Sequence, residues 1–94
     1  MTQHATGTAP TASASRYLQQ LCKHWSHKAK AEFTPEAGSI RFDSGNRLQM
    51  TALPDSLSLS VTVPDDGDLA QFQDVVDRHL VRFAFREDLV ITWS

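Results

Sequence analysis

Between Ser56 and Val63 every second residue is a large aliphatic, Leu57, Leu59, Val61 and Val63, and every residue between them is Ser or Thr. Only an extended chain sends alternate side chains to opposite sides, so this run predicts a strand with one buried and one wetted face. Such a strand belongs to a sheet covered on one side only. The rest of the chain must then supply neighbouring strands and the layer that covers them.

Two shorter runs repeat the alternation. Ile40 and Phe42 oppose Ser39 and Arg41, and Leu48, Met50 and Ala52 oppose Arg47, Gln49 and Thr51. Asp43-Ser44-Gly45-Asn46 is a hairpin turn between them, and Pro54-Asp55 turns the chain again. Leu89, Ile91 and Trp93 alternate with Val90 and Thr92 and read as a last strand. Two segments instead show spacings of three and four. Tyr17, Leu18, Leu21, Cys22, Trp25 and Ala29 predict a helix over 14–31, with Ser13 or Ser15 as N-cap and Phe33-Thr34-Pro35 as its stop. Leu69, Phe72, Val76, Leu80 and Phe83 predict a second helix over 67–84, behind the carboxylates of Asp65, Asp66 and Asp68. The expectation is an α+β two-layer sandwich in α-β-β-β-α-β order, with an antiparallel-rich four-stranded sheet and both helices on one face.

Residues 1–13 are mostly Thr, Ala, Ser and Gly without a large apolar side chain after Met1, and are expected to form a disordered tail before a single domain over 14–94. Nine basic against eleven acidic residues give a net charge of −2, too weak a field to favour nucleic acid or an anionic membrane. No stretch approaches the ~18 apolar residues of a membrane span, and the N-terminus lacks a signal-peptide pattern. Cys22 is the single cysteine, which fits a reducing, cytoplasmic setting. No Gly-rich phosphate loop is present, and no cofactor is expected.

Ser15-Arg16-Tyr17-Leu18, Leu21-Cys22-Lys23-His24, His27-Lys28 and the run His79-Leu80-Val81-Arg82-Phe83-Ala84-Phe85-Arg86-Glu87 form two signatures far apart in the chain, followed by Ile91-Thr92-Trp93. In these the chain resembles the bacterial domain-of-unknown-function family 2218 (DUF2218). The resemblance implies a small bacterial α+β domain, sometimes associated with siderophore-interacting flavin reductases. It implies no activity and no catalytic residues.

Candidate chemistry gathers at two places. His24 and His27, three apart on a helix, could reach one metal or haem, while Cys22 lies about 160° around the helix from His24, on the apolar face. The competing reading is a solvated basic face with Arg16, Gln20 and Lys23. His79 falls at the edge of the apolar stripe and needs a partner for its ring N–H, from Glu87, Asp88 or a backbone carbonyl. Arg82, Arg86 and Glu87 flank Phe83-Ala84-Phe85, which suits a carboxylate or phosphate beside an aromatic wall, or simply cations at a helix C-terminus. His79, Arg82, Arg86, Glu87 and His24 are therefore candidate ligand-binding residues. The Ser and Thr of the strands should form a polar sheet face fit for a protein partner or a second copy. No nucleophile–base pair is legible, so a binding or accessory module is favoured over an enzyme.

Overall fold

The structure is a computed structural model that describes residues 2–94. Its elements are β1 (Thr2–Pro10), α1 (Ala14–Trp25), β2 (Lys30–Phe33), β3 (Ala37–Arg41), β4 (Arg47–Ala52), β5 (Ser56–Pro64), α2 (Leu69–Phe83) and β6 (Thr92–Trp93). The strands form one antiparallel sheet in the order β2-β3-β4-β5-β1-β6. The α+β layout stands, but the sheet has six strands where four were expected.

The largest correction falls on the expected tail. Thr2 to Pro10 pair with Pro64 to Ser56 along their whole length, and Gly7 and Thr8 pair with Trp93 and Thr92 on the other side. This strand therefore lies inside the sheet, between β5 and the short β6, and is held by backbone pairing along its whole length on the β5 side. Ala5 and Ala9 are buried beneath the helical layer, and a Cβ on Gly7 would come within 2.8 Å of the Trp93 ring. Small residues are required where a ring lies on the strand. Gln3 ties the start of β1 to the Gly67 carbonyl at 2.7 Å, and Thr11 N–H donates to the Asp55 carbonyl at its end.

The second correction concerns helix one, which stops at Trp25 rather than 31. Ser26 folds back, with its N–H and Oγ both donating to the Lys23 carbonyl, and Ala29 N–H closes on Trp25. Residues 30–33 are thereby released to form β2 against β3. Ser13 occupies the N-cap position without a capping side-chain bond. In α2 the expected carboxylate does cap, since Asp68 accepts from the Gln71 N–H at 3.0 Å. Of the expected last strand only Thr92–Trp93 is paired, although Leu89 and Ile91 are buried as their alternation implied.

The β3–β4 turn matches expectation. Phe42 and Asn46 are joined by a backbone bond, and Gly45 takes the left-handed φ of 97° that disfavours a side chain. Helix α1 lies over β2, β3 and β4, and α2 over β5 and β1. Leu18, Leu21, Val76 and Leu80 from the helices meet Ile40, Leu48, Leu57, Leu59, Val61 and Val63 from the sheet in one buried core. At about 1.5–3 kcal/mol for each buried large aliphatic, this layer is what offsets the chain entropy of a short chain. The opposite sheet face carries Thr, Ser, His, Gln, Arg and Lys, as expected.

Candidate functional site

Where the helix ends converge, aromatic rings form a continuous chain. Phe72 packs on Phe42, Phe42 on Trp25, Trp25 on His79, His79 on His24 and His24 on Phe83, with centroid separations from 4.9 to 5.9 Å. His24 comes from the last turn of α1 and His79 from α2, and their rings stand 5.3 Å apart. The His79 ring is oriented by a 2.7 Å contact from Nδ1 to the Val75 carbonyl one turn earlier. A carbonyl can only accept, so Nδ1 carries a proton and Nε2 is the ring nitrogen left free of this bond. The expected N–H partner was thus a backbone carbonyl rather than Glu87 or Asp88. His27 sits beyond the helix end, exposed, and takes no part in this ring chain.

Cys22 stays apart from all of this. It is fully buried, and its Sγ lies where a Cβ on Gly38 would come within 2.8 Å. Burial pushes its thiol up to about 11. Among the described residues no group of three or more His, Cys, Asp or Glu is placed to hold a metal ion.

A second feature lies on the other side of Phe83. Arg16, Tyr17 and Gln20 of α1 face Phe83, Phe85 and Arg86 across a cleft of about 280 Å³. Helical spacing puts Arg16 and Gln20 on one ridge, while the end of α2 and the turn after it deliver the opposite wall. Phe85 is 79 % exposed, and the Arg86 guanidinium stacks 5.3 Å over its ring. Glu87, next in sequence, turns away into a lock: Tyr17 Oη and Thr11 Oγ1 both donate to its Oε2. Burial, followed by the Glu87 carboxylate, pushes the Tyr17 phenol above its ordinary range and keeps it protonated.

The candidate ligand-binding residues therefore separate. Arg86 lines the cleft, Glu87 buttresses it, and His24 and His79 form the ring pair behind Phe83. Arg82 is exposed at the end of α2 and lines no part of the cleft. Arg16, Tyr17 and Gln20 were not among the candidates. The signal for Arg16 and Gln20 was their four-residue spacing, which a solvated helix face explains equally well.

A more open hollow of about 490 Å³ lies at the β2–β3 edge, where Glu32 is its only charged lining residue. On the uncovered sheet face Lys30, Arg41 and Arg47 stand directly opposite one another across β2, β3 and β4, continued by Thr62 and His4. Like charges in facing cross-strand positions cost stability.

A solved NMR structure of PA4090 from Pseudomonas aeruginosa is similar to this chain, with 42% sequence identity, a TM-score of 0.78, and coverage of 97% of this chain and 94% of that one. A search of curated proteins finds no match. The family profile described as "Uncharacterized protein conserved in bacteria (DUF2218)" matches residues 6–94, which takes in most of β1 as well as every later element. The resemblance carried by the two helical signatures thus extends across the fold, and the chain belongs to the DUF2218 family.

Proposed function

We propose that this protein is a non-catalytic binding module whose cleft between α1 and the turn after α2 takes a small carboxylate- or phosphate-bearing ligand with an apolar portion. The observation that carries this is that two arginines, Arg16 and Arg86, line one concave site together with Phe83 and Phe85. Guanidinium forks match the geometry of carboxylate and phosphate, and an exposed aromatic wall suits an apolar ligand body. The nearby Glu87 charge is engaged by two hydroxyl donors instead of an arginine, which leaves both guanidiniums for a ligand. The Tyr17 hydroxyl is tied to Glu87, and burial holds its phenol protonated.

Titration of labelled protein with benzoate, and separately with inorganic phosphate, tests this reading by NMR. The amides of Gln20, Phe85 and Arg86 should shift together and saturably. Arg16→Ala and Arg86→Ala should each weaken binding about tenfold, the effect of losing ~1.4 kcal/mol. Shifts that bypass these amides, or an unchanged affinity in Arg86→Ala, would remove the cleft as the site.

The uncovered sheet face favours a second reading, as a docking surface for an acidic protein partner. The facing row Lys30, Arg41 and Arg47 is unfavourable in isolation and is relieved when carboxylates meet it. The suggested connection to siderophore or iron metabolism rests on the family resemblance and would act through such a partner or a second copy. Among the described residues no helix is long and apolar enough to cross a membrane. Light scattering of the purified chain, alone and mixed with a siderophore-interacting flavin reductase, checks this reading; an unchanged monomer mass in both would count against it.

A further inference from the structure

His24 and His79 belong to different helices and have no common role in the core, yet the fold holds their rings 5.3 Å apart. We propose that they form a two-imidazole site for an exchangeable transition-metal ion of the Cu(II) or Zn(II) class, its remaining positions filled by water or a small exogenous ligand. Two observations carry this independently.

The first is the spacing. With an imidazole N–metal bond of about 2.0–2.1 Å, each ring centroid lies roughly 3 Å from the ion, so two rings sharing it at a tetrahedral angle stand about 5 Å apart. The 5.3 Å between the His24 and His79 ring centroids matches that separation. The second is the tautomer. Ligating histidines characteristically donate their other ring N–H to a backbone carbonyl or carboxylate, which fixes the ring and raises the basicity of the free nitrogen. His79 has this arrangement, with Nδ1 on the Val75 carbonyl at 2.7 Å.

The surroundings set the character of the site. Trp25 and Phe83 wall it on two sides, His24 is exposed at its mouth, and no third protein ligand joins the pair among the described residues. Two neutral ligands leave the ion's charge uncompensated and at least two positions open, so binding is modest and exchange is fast. Imidazole donors select Cu(II) and Zn(II) over Mg(II) and Ca(II), and between the first two the Irving–Williams order favours Cu(II). The site pairs His24 across helices with His79, not along α1 with His27. It is separate from the anion cleft, although Phe83 touches both.

Cu(II) titration of untagged protein, followed by paramagnetic broadening in amide and indole NMR spectra, tests the assignment. The Trp25 indole signal should broaden well before that of Trp93, and the broadening should saturate near one equivalent. His24→Ala, at an exposed position where folding is not at stake, and His79→Ala should each weaken it tenfold or more. His27→Ala and Arg86→Ala should leave it unchanged, the latter separating this site from the cleft. Broadening centred on residues around His4, equal loss in His27→Ala, or an unaffected His24→Ala would each overturn the proposal.

Discussion

The phenol of Tyr17, in the first turns of α1, donates to the carboxylate of Glu87 in the segment after α2, and Thr11 donates to the same oxygen from the end of β1. One carboxylate thereby joins three parts of the chain. No acidic residue lies in the first turn of α1, so Glu87 also brings negative charge to that end of the helix from outside it. A hydrogen bond to a charged acceptor contributes about 1.5–3 kcal/mol, reduced towards ~1 kcal/mol here because Glu87 is largely exposed. Tyr17→Phe and Glu87→Gln should each lower the melting temperature by several degrees, and the double variant by less than their sum. Additive losses would show that the two side chains are not coupled. Because the folded phenol titrates above its usual range, its contribution is complete below about pH 10 and is lost as pH rises through the raised value. Tyr17→Phe should remove that alkaline slope.

Deleting residues 1–13 should abolish cooperative folding rather than trim a tail. The deletion strips the nine-residue strand that lies between β5 and β6, exposes the edge of β5 and leaves β6 without a partner. Glu87 also loses Thr11. A dispersed amide spectrum and a sharp melting transition from residues 14–94 alone would contradict this.

The strand was hidden in the sequence for a physical reason. Periodicity reports the size of buried side chains, and β1 buries Ala5, Gly7 and Ala9 because rings and helices lie close upon it. Its alternation with His4, Thr6 and Thr8 is complete but small. The same signal was strong in β5, where Leu and Val fill the space beneath α2, and there strand and facing were both legible. Helix one was overextended because Ala29 continues the spacing of Trp25, while the stop is a backbone event at Ser26 with no size signature. His24, His79 and Arg86 were legible as reactive types. That the two histidines meet each other while Arg86 shares a cleft with Arg16 was not, since it depends on how α1 crosses α2.

Arg41→Thr should leave the fold slightly more stable. The residue lies between Lys30 and Arg47 in facing cross-strand positions, and Thr is a better strand former on a wet face. A gain of about 0.3–1 kcal/mol is expected in low salt, shrinking as added salt screens the row. Chemical denaturation at two ionic strengths measures it, and a loss of stability would show that the guanidinium is engaged within the fold.

Gly38→Ala should be costly although β3 welcomes side chains elsewhere. The new methyl would come within 2.8 Å of Cys22 Sγ and 3.1 Å of Leu18 Cδ2, both in the closed core. Overpacking of this kind costs about 1–3 kcal/mol. Cys22→Ala alone opens a gap on the same line of contact. The pair Gly38→Ala with Cys22→Ala should therefore recover much of the combined loss in denaturant melts, whereas strictly additive costs would mean that the two sites relax independently.

The buried thiol supplies a second, separable alkaline limb. Cys22 titrates near 9.0 when free and is pushed to about 11 in the fold by loss of solvent. The folded state thus holds its proton more tightly than the unfolded state. That contribution is fully present below about pH 9 and is lost as pH climbs through about 11, so unfolding should become easier across this window. Cys22→Ala should flatten the decline there while leaving the Tyr17 contribution in place, which distinguishes the two groups. The same burial keeps the thiolate out of reach at neutral pH, so a thiol reagent should label native protein only as fast as the core opens, and unfolded protein at once. Rapid labelling of the folded chain at pH 7 would mean that Cys22 is reached without opening, and the account of its shifted titration by burial would fail with it.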